Sequence, residues 1–123
     1  MIFASALEKI RQPFNINSLA QAGALAALDD EEHIRRTRTN NRAGLKFFEH
    51  SFAQLALEYV PSSASFILVH VGDGPRVCGE TQKLGVITRP MSGYGLPEWI
   101  RNSIGTPAEN ARSLAALRTV LQK

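Results

Sequence analysis

The segment Leu96–Asn110, LPEWIRNSIGTPAEN, constrains the fold of this chain more than any other stretch. Residues 99–105 alternate as a strand does, which places Ile100 and Asn102 on one face and Arg101 on the other. A guanidinium held on a short, rigid strand suits bidentate capture of a carboxylate or a phosphate. The pattern therefore predicts a strand that presents a single arginine to an anion.

A helix start follows this strand directly. Gly105 interrupts the alternation, and Thr106 is then placed as an N-cap with Pro107 at the first helical position. Glu109 lies three residues after Thr106, which completes a capping box. The spacing predicts a closing helix over 107–121, with Ala111, Leu114, Leu117 and Leu121 facing inward.

The rest of the chain predicts helices first and a small sheet later. We expect helices over 5–11, 19–28 and about 31–57, strands over 66–71 and 86–89, and a short helix over 76–83 between those strands. Asn17 or Ser18 can cap the second helix, and Phe47 belongs to the apolar stripe of the third. The predicted class is α+β: a small, mainly antiparallel sheet packed against helices, in one domain over 1–123 with a helical segment of about 1–57.

Four blocks of sequence carry a resemblance to a known family. They are RQPFNINSLAQAGALAALDD (Arg11–Asp30), PSSASFILV (Pro61–Val69), LGVITRP (Leu84–Pro90) and the segment Leu96–Asn110. In order and spacing they resemble the C-terminal part of histidinol-phosphate aminotransferases, which are pyridoxal-phosphate enzymes of the aspartate-aminotransferase fold type. The resemblance implies the fold of the small, C-terminal domain of those enzymes.

The resemblance also implies substrate-binding residues. The family arginine at the place of Arg101 binds the acidic group of the substrate, a phosphate or a carboxylate, and the one at Arg89 is a further phosphate contact. On the residues alone, Arg101 could equally form an internal salt bridge to Glu98 or Glu109, and Arg89 could simply reach solvent. Tyr94 lies in the predicted loop 91–97 between the two arginines and could close over a ligand, or its ring could pack on the loop.

Two positions depart from the family pattern. Ser65 stands where the family commonly has an asparagine, and a serine can replace only part of the hydrogen bonding of an amide. Asn102 stands on the presumed buried face of its strand, where an amide is costly unless it is paired. Both changes leave open whether an ancestral site is still functional.

The family's Schiff-base lysine has no counterpart in the sequence. In the resembled enzymes it lies upstream of the RQPFN-like block, in the large domain, and the lysines present here are Lys9, Lys46, Lys83 and Lys123. A Schiff-base lysine needs burial and a lowered pKa, whereas these fall among charges or at the chain end. We expect this chain to bind no pyridoxal phosphate by itself, and to be inactive without a large domain.

Composition excludes several other classes. Charged residues make up 20% of the chain and the net charge is +3, with the basic residues scattered rather than clustered on one face, so neither nucleic acid nor a membrane is an expected partner. The three histidines and the single Cys78 show no spacing typical of a metal site. With one cysteine no internal disulfide can form, and a cytoplasmic location is expected.

Two functions remain open at this point. The chain could be the small domain of a truncated or split histidinol-phosphate aminotransferase that binds the substrate anion and works with a separate large-domain partner. Alternatively, it could be a non-catalytic, standalone domain, with or without a residual anion pocket. An isolated copy would expose apolar surface on the alanine-rich helix Leu19–Leu28, so the second function predicts a homodimer.

Overall fold

The structure is a computed structural model that describes residues 16–122. These residues fall into two compact units divided after Arg35. The helix predicted over 5–11 lies outside the described residues. That the whole chain forms one domain stays a prediction.

The first unit contains helix α1 (Ser18–Leu28). Asn17 is its N-cap, because the side-chain Oδ1 of Asn17 accepts a hydrogen bond of 2.8 Å from the backbone N–H of Ala20. This confirms the predicted cap. None of the α1 side chains is buried. After a break at Asp29 and Asp30, the second helix, α2 (Glu31–Gln54), begins in this unit and continues into the next.

The second unit holds the sheet and the remaining helices. In chain order its elements are β1 (Tyr59–Val60), β2 (Phe66–His70), α3 (Gly74–Lys83), β3 (Arg89–Met91), a 3₁₀ turn (Ser92–Tyr94), β4 (Leu96–Ser103) and α4 (Pro107–Leu121). The order of strands in the sheet is β1-β2-β4-β3, and every neighbouring pair is antiparallel. The predicted α+β class is confirmed, with the two-residue strand β1 added to the expected three.

One face of the sheet carries the core. Its fully buried side chains are Phe48 and Phe52 from α2, Ile67 and Val69 from β2, Val77 from α3, Ile100 from β4 and Leu117 from α4. Two predicted core positions are wrong: Phe47 is 37% exposed, and Ala111 is exposed on α4, where Asn110 and Ser113 are buried instead. In both helices the buried stripe lies slightly to one side of the stripe inferred from apolar residues alone.

The strand predicted over 86–89 is displaced. Pro90, expected to terminate it, lies inside β3, and this is tolerated because β3 is an edge strand and proline lacks only one ladder N–H. The helix predicted over 76–83 begins two residues earlier, because Gly74 and Pro75 form the first turn of α3, which Asp73 caps by accepting from the N–H of Arg76. The predicted loop over 91–97 is the 3₁₀ turn followed by the start of β4.

Helix α2 approaches the end of β4 very closely at Gly44. A Cβ added there would overlap Cγ2 of Ile104 and would lie 2.9 Å from Nδ2 of Asn110. Asn110 is not free to move, because it bonds both the N–H and the carbonyl of Gly105. The side chain of Asn40 also donates to the Gly105 carbonyl, at 2.9 Å. The glycine therefore allows α2 to pack against the turn that ends β4.

Replacing Gly44 by alanine should destabilise the protein. Overpacking of this kind costs about 1–3 kcal/mol, and the higher helix propensity of alanine returns about 1 kcal/mol, so the free energy of unfolding should fall by up to about 2 kcal/mol. The matched control is Gly79→Ala, in α3 with no atom near the added Cβ, which should raise stability by about 0.5–1 kcal/mol. Urea unfolding of both variants measures this, and a stabilised Gly44→Ala would contradict the close packing.

Candidate functional site

Arg101 lies on the face of the sheet opposite the core. Strand β4 alternates as expected: Ile100 and Asn102 are buried in the core, whereas Arg101 is half-buried on the other side, here called the outer face. The strand pairs on both sides, with β2 and with β3. Arg101 is therefore carried by a central strand of the sheet.

Arg89 is the direct partner of Arg101 across the sheet. The two residues face each other in the antiparallel register of β3 and β4. Side chains at directly opposite positions lie on the same face, with Cβ atoms about 5 Å apart. The structure thus brings together the two arginines that the sequence predicted as anion ligands. Like charges in this arrangement destabilise a strand pair.

The guanidinium of Arg101 has no acidic partner among residues 16–122. The carboxylate of Glu98 lies 3.6 Å from Nε2 of His70, and that of Glu109 bonds Thr106. Nε of Arg101 is buried and makes no hydrogen bond to any other residue that the structure describes. The alternative of an internal salt bridge to Glu98 or Glu109 is therefore wrong within this part of the chain.

The buried amide of Asn102 has a partner on α4. Asn102 is 2% exposed, and its Oδ1 accepts a 2.7 Å hydrogen bond from the hydroxyl of Ser113. This bond compensates the cost of burying the amide. It also ties β4 to α4 at the residue next to Arg101. The departure from the family pattern at Asn102 is thus accommodated by the fold.

Tyr94 ends the 3₁₀ turn between the two arginine-bearing strands. Its ring is 68% exposed. Its role as a ligand contact stays a prediction.

Sequence reasoning missed the aromatic neighbour of Arg101. The guanidinium Cζ lies 5.1 Å from the centroid of the Phe66 ring, which is a cation–π distance. The alternation in the strand FILVH places Phe66 and Leu68 on one face. That face could be assigned to the Arg101 side only once the register of β2 with β4 was known.

Other kinds of site find no support in the described part of the chain. No group of three or more histidine, cysteine, aspartate or glutamate side chains there could hold a metal ion. None of its helices is both long and apolar enough to cross a membrane.

The model of the family Aminotransferase class I and II matches residues 2–117 of the sequence. The chain belongs to this family. It is 56% identical over 117 residues to histidinol-phosphate aminotransferase from Akkermansia muciniphila, a match that covers 95% of this chain and 32% of that protein. It is also 55% identical over 119 residues to histidinol-phosphate aminotransferase 2 from Ralstonia nicotianae, a match that covers 94% of this chain and 32% of that protein. The chain thus spans about a third of the length of these curated relatives.

Solved aminotransferase structures share the fold. Histidinol-phosphate aminotransferase from Clostridium acetobutylicum matches with a TM-score of 0.75 at 23% identity, over 98% of this chain and 38% of that one. Histidinol-phosphate aminotransferase from Sinorhizobium meliloti was solved in complex with pyridoxal-5'-phosphate. It matches with a TM-score of 0.66 at 26% identity, and the match covers 97% of this chain and 34% of that one. The expected resemblance to a partial histidinol-phosphate aminotransferase is confirmed.

The described lysines of this aminotransferase chain do not fit a covalent link to pyridoxal phosphate. Lys83 is exposed and its Nζ donates to Oε1 of Glu80 at 2.6 Å, and Lys46 is exposed on α2. A Schiff-base lysine requires an amine buried in the site, which neither exposed side chain provides. Lys9 and Lys123 lie outside the described residues.

The capping box that ends the arginine strand predicts a pH dependence. The backbone N–H and then the hydroxyl of Thr106 lower the pKa of Glu109, so its carboxylate stabilises the fold above its ordinary pKa of 4.5. That contribution is lost as the pH falls through the lowered value. Glu109→Gln keeps the capping bond but does not titrate, so between about pH 6 and about pH 3 it should lose less stability than the parent chain. Urea unfolding at both pH values tests this, and equal losses would contradict it.

Proposed function

We propose that this chain supplies the substrate-anion site of a histidinol-phosphate aminotransferase-like enzyme, with Arg101 and Arg89 as the ligands of the substrate phosphate. The observation that carries the proposal is the register of β3 with β4, which sets the two arginines opposite each other on the outer face. The family match and the names of the relatives support the choice of substrate.

The charge of the site favours a phosphate over a single carboxylate. Two adjacent guanidiniums carry two positive charges, and a phosphate monoester near neutral pH carries close to two negative ones. A carboxylate would neutralise only one of them. Its two oxygens could form a bidentate bond with Arg101 or with Arg89, whereas three phosphate oxygens can bond both.

The role of the arginines in amino-group transfer is to bind and orient. Holding the phosphate end of the substrate fixes the distance of its amino group from the reacting centre, which lowers the entropic part of the barrier. The amine chemistry and the cofactor come from a large domain, joined to this segment or separate from it.

A cytoplasmic location belongs to the same proposal. It is supported by the single cysteine, Cys78, which cannot form an internal disulfide. The Cys78 thiol is buried and lies 3.1 Å from the hydroxyl of Thr88.

Phosphate binding tests this proposal on the chain itself. Titration with inorganic phosphate should show binding that Arg101→Gln weakens by about tenfold or more, because a charge-assisted bidentate contact is lost. Arg89→Gln should weaken binding as well. The matched control is Arg118→Gln, on the exposed surface of α4, which should leave the affinity unchanged.

A second comparison tests the substrate class. L-histidinol phosphate should raise the melting temperature of the chain, and L-histidinol, which lacks the phosphate, should not. Failure of phosphate to bind, or equal weakening by Arg118→Gln, would contradict the proposed site.

A second function is favoured by helix α1. Its large apolar side chains are strongly exposed, with Leu19 at 83%, Leu25 at 67% and Leu28 at 72%. An α-helix that is apolar on most sides is normally covered, so the exposed side chains of α1 mark an interaction surface. The alternative proposal is a standalone, non-catalytic domain that forms a homodimer through α1 of each copy.

Sedimentation velocity distinguishes the two functions. If α1 forms a homodimer, the double variant Leu25→Glu/Leu28→Glu should be monomeric, because charged side chains would be buried without partners. The control Ile87→Glu, at an 85% exposed position of the second unit, should leave the dimer intact. A parent chain that is monomeric at high concentration, or a dimer that survives in the double variant, would overturn the alternative.

A further inference from the structure

Arg101 and Phe66 meet diagonally on the outer face. In the register of β2 with β4, Phe66 faces Ser103 and Leu68 faces Arg101. The 5.1 Å contact between the guanidinium and the Phe66 ring is therefore a diagonal one, which only aromatic or long side chains can span. Because Ser103 is small, no bulky side chain stands directly opposite the ring.

Few other forces hold the Arg101 guanidinium in place within residues 16–122. It has no carboxylate partner there, its buried Nε makes no hydrogen bond, and the facing Arg89 repels it. An arginine side chain has large rotational freedom, which must be restricted if the group is to bind an anion tightly. The Phe66 ring is a contact in this part of the structure that can restrict it.

We propose that Phe66 is a positioning residue for Arg101. Its ring lies under the guanidinium and Nε is buried, so the terminal Nη groups are the ones that we expect to meet the anion. An aromatic ring at this position, rather than apolar bulk alone, sets the orientation of the guanidinium. That the anion is a phosphate rests on the proposed function, but the positioning itself can be measured without a ligand.

NMR of the arginine Nε–H group provides the ligand-free test. In the parent chain the Arg101 Hε resonance should be displaced by the ring current of Phe66, and Phe66→Tyr should keep this displacement. Phe66→Leu, which retains apolar bulk, should abolish it. The matched control Phe47→Leu removes a half-exposed ring on α2 and should leave the Arg101 signal unchanged. An undisplaced signal in the parent chain, or a displacement that survives in Phe66→Leu, overturns the proposal.

Phosphate titration provides the functional test. Phe66→Leu should weaken the binding of inorganic phosphate by about fivefold, the effect of losing a partly buried cation–π contact, and Phe66→Tyr should stay within about twofold of the parent. If phosphate binds the parent and Phe66→Leu equally well, the positioning proposal fails while the proposed function stands.

The remaining outcomes are also distinct. If phosphate does not bind the parent chain, the proposed function fails, and the NMR comparison alone decides the role of Phe66. Amide spectra show whether each variant is folded. If Phe66→Leu is not folded, Phe66→Met replaces it with the same expected results, and the parent signal still provides a result that can contradict the proposal.

Discussion

The pairing of β3 with β4 sets two positive charges directly opposite each other, and the candidate site on the outer face depends on this pairing. Arg89 and Arg101 are partners in the antiparallel register, so neither can leave the outer face without breaking the ladder. Their repulsion is a cost that the strands carry in the absence of a ligand. An anion bound between the guanidiniums would convert the repulsion into attraction. This arrangement is better suited to binding than to stabilising the sheet.

The packing behind β4 makes such a binding surface rigid. Asn102, beside Arg101, is bonded to Ser113 of α4, and Ile100 is buried on the other side of the strand from the arginine. The strand then ends at a turn that α2 approaches at Gly44 and that Glu109 caps. Each of these contacts limits movement of the backbone beneath Arg101. Rigid backbone support lets a charged side chain be positioned with little loss of entropy on binding.

Sequence alone revealed the features that depend on local patterns. The alternation of residues 99–103 and the capping box from Thr106 to Glu109 were both readable, because each depends on residues a few positions apart. The strand containing Pro90 was misplaced, since only its position at the sheet edge makes a proline acceptable there. The contact between Phe66 and Arg101 could not be predicted, because it depends on the register between strands that are far apart in sequence.

The most direct test of the paired-arginine site is a crystal structure of the chain soaked with tungstate, a heavy analogue of phosphate whose position is given by anomalous scattering. If the paired arginines bind the anion, an anomalous peak is expected on the outer face, within hydrogen-bond distance of the guanidiniums of both Arg89 and Arg101. The surface groove lined by Arg38, Arg42 and Lys46 on α2 is a competing basic site. Tungstate bound there, with none between the strand arginines, would contradict the account.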